Sequence, residues 1–160
     1  MRLLLIGVGR LKAGLERELF ERYFKRLADM ARASGVSGVD VREIDEGRAQ
    51  RAEERRAEEA RAILAALPKG ARLVLLDERG AALGSAQWAQ EIGKARDDGT
   101  PAYALAIGGP DGLDPLLREK AHNILAFGAM TWPHQLVRVM AAEQLYRSLS
   151  ILAGHPYHRA

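Results

Sequence analysis

Tyr103-Ala-Leu-Ala-Ile-Gly-Gly-Pro-Asp-Gly112 is the stretch on which the fold turns. Tyr103 to Ile107 is a short apolar run with Pro101 before it and glycines after it, the pattern of a buried strand, although a buried helical piece has the same periodicity. Gly108, Gly109 and Gly112 then remove three β-carbons within five residues. The backbone there is free to adopt positive φ and to lie directly against a ligand. Asp114-Pro115 follows as an N-cap and first helical residue. Strand, glycine turn and helix start, in that order, is how α/β proteins bind nucleotides beyond their strand ends. A plain tight turn between strand and helix uses the same residue types.

Toward the N-terminus the pattern repeats. Ser85 to Arg96 reads as a helix with Trp88 and Ile92 on its inner side, closed by Asp97-Asp98-Gly99. Before it, Arg72-Leu-Val-Leu-Leu-Asp77 is an all-apolar strand ending in a carboxylate, a residue that faces a ligand or caps a turn equally well. Pro68-Lys69-Gly70 closes a long Arg/Glu/Ala helix predicted over Gly47 to Leu67. Its Glu53, Glu54, Glu58 and Glu59 interleave with Arg51, Arg55, Arg56 and Arg61 at three- and four-residue spacings. That pattern predicts a self-neutralised surface helix, each pair contributing roughly 0.2–0.5 kcal/mol. Val39, Val41 and Ile44 suggest another strand. Leu15, Leu19, Phe20, Tyr23, Leu27 and Met30 recur at helical spacing, in a helix that stops near Ser34-Gly35. Arg2-Leu-Leu-Leu-Ile-Gly-Val-Gly9 is a first buried strand running into glycines. It is not a dinucleotide fingerprint, because the third glycine position holds Lys12 and the acidic partner would be Asp29, inside a helix.

Toward the C-terminus come a short helix, Leu116 to Ala121, and a fifth apolar strand, Asn123 to Gly128. The last helix, Pro133 to about Leu152, has an apolar arc wider than one core-facing stripe, which predicts contact with both the sheet and a second chain. His134 and Arg138 share one of its faces, as do Glu143 and Arg147. The chain closes with Gly154-His-Pro-Tyr-His-Arg-Ala160, which offers a titratable base, an aromatic ring and a guanidinium. A frayed end is the ordinary fate of such a tail. His155 and His158 lack further ligands nearby, so no metal is expected. Alternating strands and helices predict an α/β fold, a mostly parallel sheet with helices on both faces.

The bulk properties fit one domain over 1–160, large enough for a substantial core. The chain is 48% hydrophobic and 28% charged, with net charge +3 and pI about 9.4. This mild basic bias is compatible with a nucleic-acid partner. Without cysteine there is no disulfide, thiolate nucleophile or cysteine metal site. No apolar run reaches the roughly 18 residues of a membrane span, and Met1 to Val8 lacks a signal-peptide pattern, so a cytoplasmic location is expected.

Four segments stand together in order and spacing: Ile107-Gly-Gly-Pro-Asp-Gly112, Thr131-Trp-Pro-His-Gln-Leu-Val-Arg138, Glu143-Gln-Leu-Tyr-Arg147 and His155-Pro-Tyr-His-Arg159. With them the chain resembles, end to end, the large-subunit ribosomal RNA pseudouridine methyltransferase H family, small members of the SPOUT methyltransferases. The resemblance implies a SPOUT-type domain with a C-terminal trefoil knot, which chain-threading rules alone would not suggest. It implies S-adenosylmethionine as cofactor, bound by Leu76, Gly108 and the loop of Phe127, Gly128, Ala129, Met130, Thr131 and Trp132. It implies a homodimer in which the tail of one protomer completes the site of the other. The substrate it implies is the large-subunit (23S) rRNA within the assembled ribosome, methylated at N3 of a pseudouridine. Family members often carry serine or leucine where this chain has Phe127, Gly128 and Trp132.

The residue chemistry agrees. Methyl transfer is an in-line displacement, so positioning supplies much of the rate. The pseudouridine imide becomes a good nucleophile when its proton leaves, and a base of near-neutral pKa contributes about 10²–10⁴-fold. His158 is the first candidate and His134 the second. Arg159 or Arg138 is suited to the negative charge that develops, and Tyr157 to stacking on a flipped base. Two other readings stay open: a non-catalytic RNA-binding ribosome factor of the same fold, separable by bound methyl donor, and a flavodoxin-like nucleotide enzyme, disfavoured by the failed fingerprint.

Overall fold

The computed structural model describes residues 1–158. Five strands, β1 (Arg2–Val8), β2 (Gly38–Ile44), β3 (Arg72–Ala81), β4 (Ala102–Ile107) and β5 (Asn123–Leu125), form one sheet in the order β2-β1-β4-β3-β5. Every pairing is parallel. The central strand β4 is buried along its whole length, as its unbroken apolar run requires of a parallel strand covered on both faces.

Alternation along the strands divides the core in two. Leu3, Leu5, Val74, Leu76, Tyr103, Leu105 and Ile107 face one layer, which contains α1 (Leu15–Ala31), α3 (Ser85–Asp97) and α5 (His134–Leu152). Leu4, Ile6, Val8, Leu73, Leu75, Ala104 and Ala106 face the other, closed by α2 (Ala52–Ala66) and α4 (Pro115–Lys120). The indole of Trp88 donates to the hydroxyl of Tyr103 at 2.8 Å, so the two polar atoms in the first layer satisfy each other.

Several elements depart from the sequence expectation for identifiable reasons. The helix expected from Gly47 begins only at Ala52, because the preceding loop folds back over it. A β-carbon at Gly47 would lie 2.6 Å from the Arg55 backbone. Instead of pairing along α2, the charges reach outward: Glu58 and Glu59 accept from the backbone N–H groups of Arg48 and Gly47, and Arg55 pairs with Asp111. The self-neutralised surface helix is therefore corrected to a helix that holds two loops. β3 continues past Asp77 to Ala81 through an irregularity, and Gly80 admits the backbone of Leu125 where a β-carbon would clash. β5 stops at Leu125, which frees Phe127 to Pro133 as a loop. In α1, Leu15 and Leu19 face solvent while Phe20 and Leu27 enter the core.

Part of the wide apolar arc of α5 is used within the chain, while Leu136 stays exposed. The helix packs between α1 and α3, and Ala141, Leu145 and Leu149 are fully buried without any second copy. No described helix is long and apolar enough to cross a membrane.

Candidate functional site

The C-terminal ends of β3, β4 and β5 open into one cleft of about 640 Å³, within the roughly 300–1,000 Å³ usual for small-molecule sites. Leu76 to Arg79 come from the second half of β3, Ile107 to Leu113 from the last residue of β4 and the turn after it, and Phe127, Gly128, Met130, Thr131 and Trp132 from the loop after β5. His134 and Val137, in the first turn of α5, complete it with Arg56 and Arg118. Ligands of open α/β sheets bind at this end of the strands.

The turn after β4 is built for close approach. Gly112 has φ +83°, a left-handed conformation that glycine adopts without steric cost. Its N–H donates to the Gly109 carbonyl at 3.0 Å, which closes the turn. A β-carbon at Gly108 would sit 3.0 Å from Leu113 and 3.1 Å from the Gly112 carbonyl, so a side chain there presses on the turn itself. Asp114 caps α4 by accepting from the Leu116 N–H at 2.8 Å, with Pro115 at the first helical position as its sequence position predicts.

The charged groups around the cleft are mostly matched. Arg55 grips Asp111 with two bonds, Nε to Oδ2 at 2.6 Å and Nη2 to Oδ1 at 3.0 Å, and the neighbouring guanidinium holds the carboxyl of Asp111 below its ordinary range. Arg118 donates to Asp77, and Thr131 Oγ1 donates to Glu78 at 2.9 Å. Beneath the turn, Glu59 is 4% exposed and accepts from the Gly47 N–H at 2.9 Å. Burial pushes its carboxyl pKa up, against the opposing effect of that hydrogen bond.

Of the residues singled out from sequence, Leu76, Gly108, Phe127, Gly128, Met130, Thr131, Trp132 and His134 line this one cleft. Ala129 sits exposed in the same loop, off the lining. Arg138 is elsewhere. Its side chain is buried, with Nη1 donating to Glu43 Oε1 at 3.1 Å and Nη2 to the carbonyls of Val8 and Gly9. Gly7 makes room for it, since a β-carbon there would lie 2.6 Å from the guanidinium carbon. Burial lowers the pKa of this guanidinium.

Tyr157 and His158 are also apart from the cleft of their own chain. The Tyr157 ring packs 4.5 Å from that of Tyr146, the guanidinium of Arg147 lies 4.9 Å from its centre, and its hydroxyl donates to Glu143 Oε1 at 2.9 Å. Burial, followed by the hydrogen bond to Glu143, pushes the phenol pKa up. Glu143 is nine residues beyond His134 on α5, about 13 Å along the axis at 1.5 Å per residue. His158 Nδ1 is buried without a partner among the described residues. Arg159 lies outside the described residues. Sequence reasoning missed Arg56, Arg118 and the Arg55–Asp111 clamp, because the clamp joins residues 56 positions apart and no local pattern announces it.

A family model described as "Predicted SPOUT methyltransferase" matches residues 1–158, and the chain belongs to this family of SPOUT methyltransferases. It is 57% identical, over all 160 residues and the full length of that protein, to the "Ribosomal RNA large subunit methyltransferase H" of Rhodopseudomonas palustris. The protein of the same name from Brucella anthropi is 56% identical over the full length of both chains, and that of Methylocella silvestris 57% identical over 99% of each. The crystal structure of the SpoU methyltransferase AviRb from Streptomyces viridochromogenes, in complex with AdoMet, aligns with 92% of this chain and 57% of that one. The identity is 12% and the TM-score 0.39.

Proposed function

We propose that this chain methylates N3 of a pseudouridine in large-subunit rRNA, within the assembled ribosome, using S-adenosylmethionine. It does so as a cytoplasmic homodimer, each protomer a single domain spanning 1–160. The names of its relatives supply the substrate class, and the observation that carries the reading is the cleft itself. A glycine turn, an aromatic pair and backbone from three strand ends converge there, while the tail bearing His158 is anchored elsewhere on the same chain.

The residues present fit the donor. The turn after β4 carries no side chain of its own at Gly108, where an added β-carbon would press on Leu113 and the Gly112 carbonyl. Trp132 gives flat apolar surface to an adenine, the Phe127 ring packs beside Trp88, and Trp132 Nε1 donates to the Phe127 carbonyl at 3.2 Å, holding the loop closed on itself. When bound, the donor supplies a methyl group on a cationic sulfur, transferable by in-line displacement. The chain then has to orient the pseudouridine ring, exclude water and remove the N3 proton. His134, at the mouth of α5 and on the cleft lining, is positioned to accept that proton within one protomer. His158 of a second protomer takes the same task if its tail crosses the interface.

A groove of about 480 Å³ supports that arrangement. Leu19, Tyr23, Leu83, Val139 and Met140 line it, and it shares Phe127 and Gly128 with the cleft and Glu143 with the tail anchor. A second copy seated on this apolar surface brings its tail beside the first copy's donor loop. Arg138, committed to three acceptors in the core, positions the β1 end and is not assigned to substrate. Mass mapping of large-subunit rRNA from cells with and without the gene tests the proposal. Loss of one methyl group on a pseudouridine is the expected result, and unchanged rRNA overturns it.

A further inference from the structure

Two adjacent arginines of α2 face the cleft turn and are used very differently. Arg55 spends its Nε–Nη2 edge on Asp111 and its Nη1 on the carbonyls of Ala49 and Gln50, at 3.1 and 2.8 Å. Arg56 lines the cleft and makes one long bond, Nη1 to the Asp111 carbonyl at 3.4 Å. Its Nε is buried and has no partner among the described residues. A guanidinium carries five donors in a rigid plane, so one that lines a cleft with donors left unused is suited to receive an anionic group. The other charges on the lining do not fill it. Asp77 is held by Arg118 and Asp111 by Arg55, while Glu78 and Arg79 are exposed at the rim.

Two anions come near this cleft in the proposed reaction, the carboxylate at the amino-acid end of the methyl donor and a phosphate of the RNA. Position favours the first. Arg56 reaches the turn that follows directly on Gly108, through the Asp111 carbonyl, and its side chain lines the cleft. A small ligand lying along that turn meets it, whereas a polynucleotide backbone is confined to the rim. We propose that the guanidinium of Arg56 binds the donor's carboxylate, and that the Arg55–Asp111 clamp holds the turn at the distance this contact requires. This rests on the reading of the cleft as the donor site.

Two ligands separate the possibilities: S-adenosylhomocysteine, which carries the carboxylate, and 5′-methylthioadenosine, which shares the nucleoside and lacks it. In calorimetric titrations of the full chain, Arg56→Gln should weaken S-adenosylhomocysteine by about 10- to 100-fold, the range for a hydrogen bond to a charged group. It should leave 5′-methylthioadenosine and the melting temperature unchanged. Equal weakening of both ligands would mean a distorted cleft and would overturn the assignment. Undiminished S-adenosylhomocysteine affinity would overturn it too, and a raised KM for ribosomes in that same variant would give the guanidinium to an RNA phosphate instead. A wild-type chain that binds neither ligand removes the donor reading and this inference together, whereas wild-type binding of both with no effect of Arg56→Gln removes only the inference.

Discussion

Arg138 separates two accounts of the same residue, one in which it holds anionic charge on the substrate and one in which it braces the fold beneath the site. Replacing it by Met keeps the length and removes three donated bonds. The Val8 carbonyl is then buried without a partner, at a cost of about 1–3 kcal/mol. Gly9 is half-buried and its carbonyl recovers water in part, so about 1 kcal/mol is lost there. Glu43 is 37% exposed and keeps its bond from the Leu11 N–H at 2.8 Å, so the ion pair adds only about 0–1 kcal/mol. Together these give about 2–5 kcal/mol, and at roughly 2–4 °C per kcal/mol for a chain of this size the melting temperature falls by about 10 °C. Gly7→Ala should lower it as well without altering any charge, because its β-carbon lands within 2.6 to 2.8 Å of three guanidinium atoms. Thermal melting of both variants, paired with turnover on ribosomes, reads the outcome. An Arg138→Met protein that melts within about 2 °C of wild type yet has lost turnover would refute the bracing role and restore the substrate role.

Gly108→Val should cost about 5- to 150-fold in S-adenosylhomocysteine affinity, since overpacking of about 1–3 kcal/mol falls on the turn against Leu113 and Gly112; undiminished calorimetric binding by a folded variant would contradict this. Glu59 has a folded-state pKa above its ordinary 4.5, so the folded chain holds a proton that the unfolded chain releases, and stability contributed by this group falls as pH rises from about 4.5 through the raised value. Glu59→Gln, which can still accept from Gly47, should flatten the dependence of melting temperature on pH across that window, and an unchanged slope would show that Glu59 does not titrate as described. Deleting Tyr157 to Ala160 should spare donor binding while turnover on ribosomes collapses. A heterodimer of that deletion with a Gly108→Val protomer should retain close to half of wild-type turnover, because one site keeps both an intact cleft and a neighbouring tail; turnover near zero would place cleft and tail in the same chain.

Most of the sheet was legible because its signal is local. A parallel strand covered on both faces must be apolar throughout, and Leu3–Ile6, Leu73–Leu76 and Tyr103–Ile107 announce themselves as such. Element ends were legible where a backbone rule fixes them, as with Asp114-Pro115 at the start of α4 and Gly35, at φ +72°, after the short helical turn that closes α1. They were misread where a distant partner decides. Glu59 pulls Gly47 out of α2, and Leu125 meets Gly80 beyond the expected end of β3. The family's knot lies further still from local signals, since the strand order β2-β1-β4-β3-β5 leaves open which segment threads which.

The candidate site divides along the same line. Gly108 stood out because glycines interrupt the chain just after an apolar strand, and His134 as a titratable group at the start of the last helix, whereas the Phe127–Trp132 loop was named only by the family resemblance; chain path brings them to one end of the sheet. Pairs across the fold were not found. His134 and Arg138 are one helical turn apart and share a face by spacing, yet one lines the cleft and the other is drawn inward by Glu43 and two carbonyls of the β1 end. Spacing fixes which direction a side chain leaves the helix, while the acceptors waiting there fix what it does. The same reasoning applies to α2, where consecutive arginines reach the turn after β4 and only the first finds a carboxylate. That leaves Arg56 as a charged group on the cleft wall whose partner is still to be supplied, and it makes the carboxylate end of the donor the place where a single substitution on α2 should be felt.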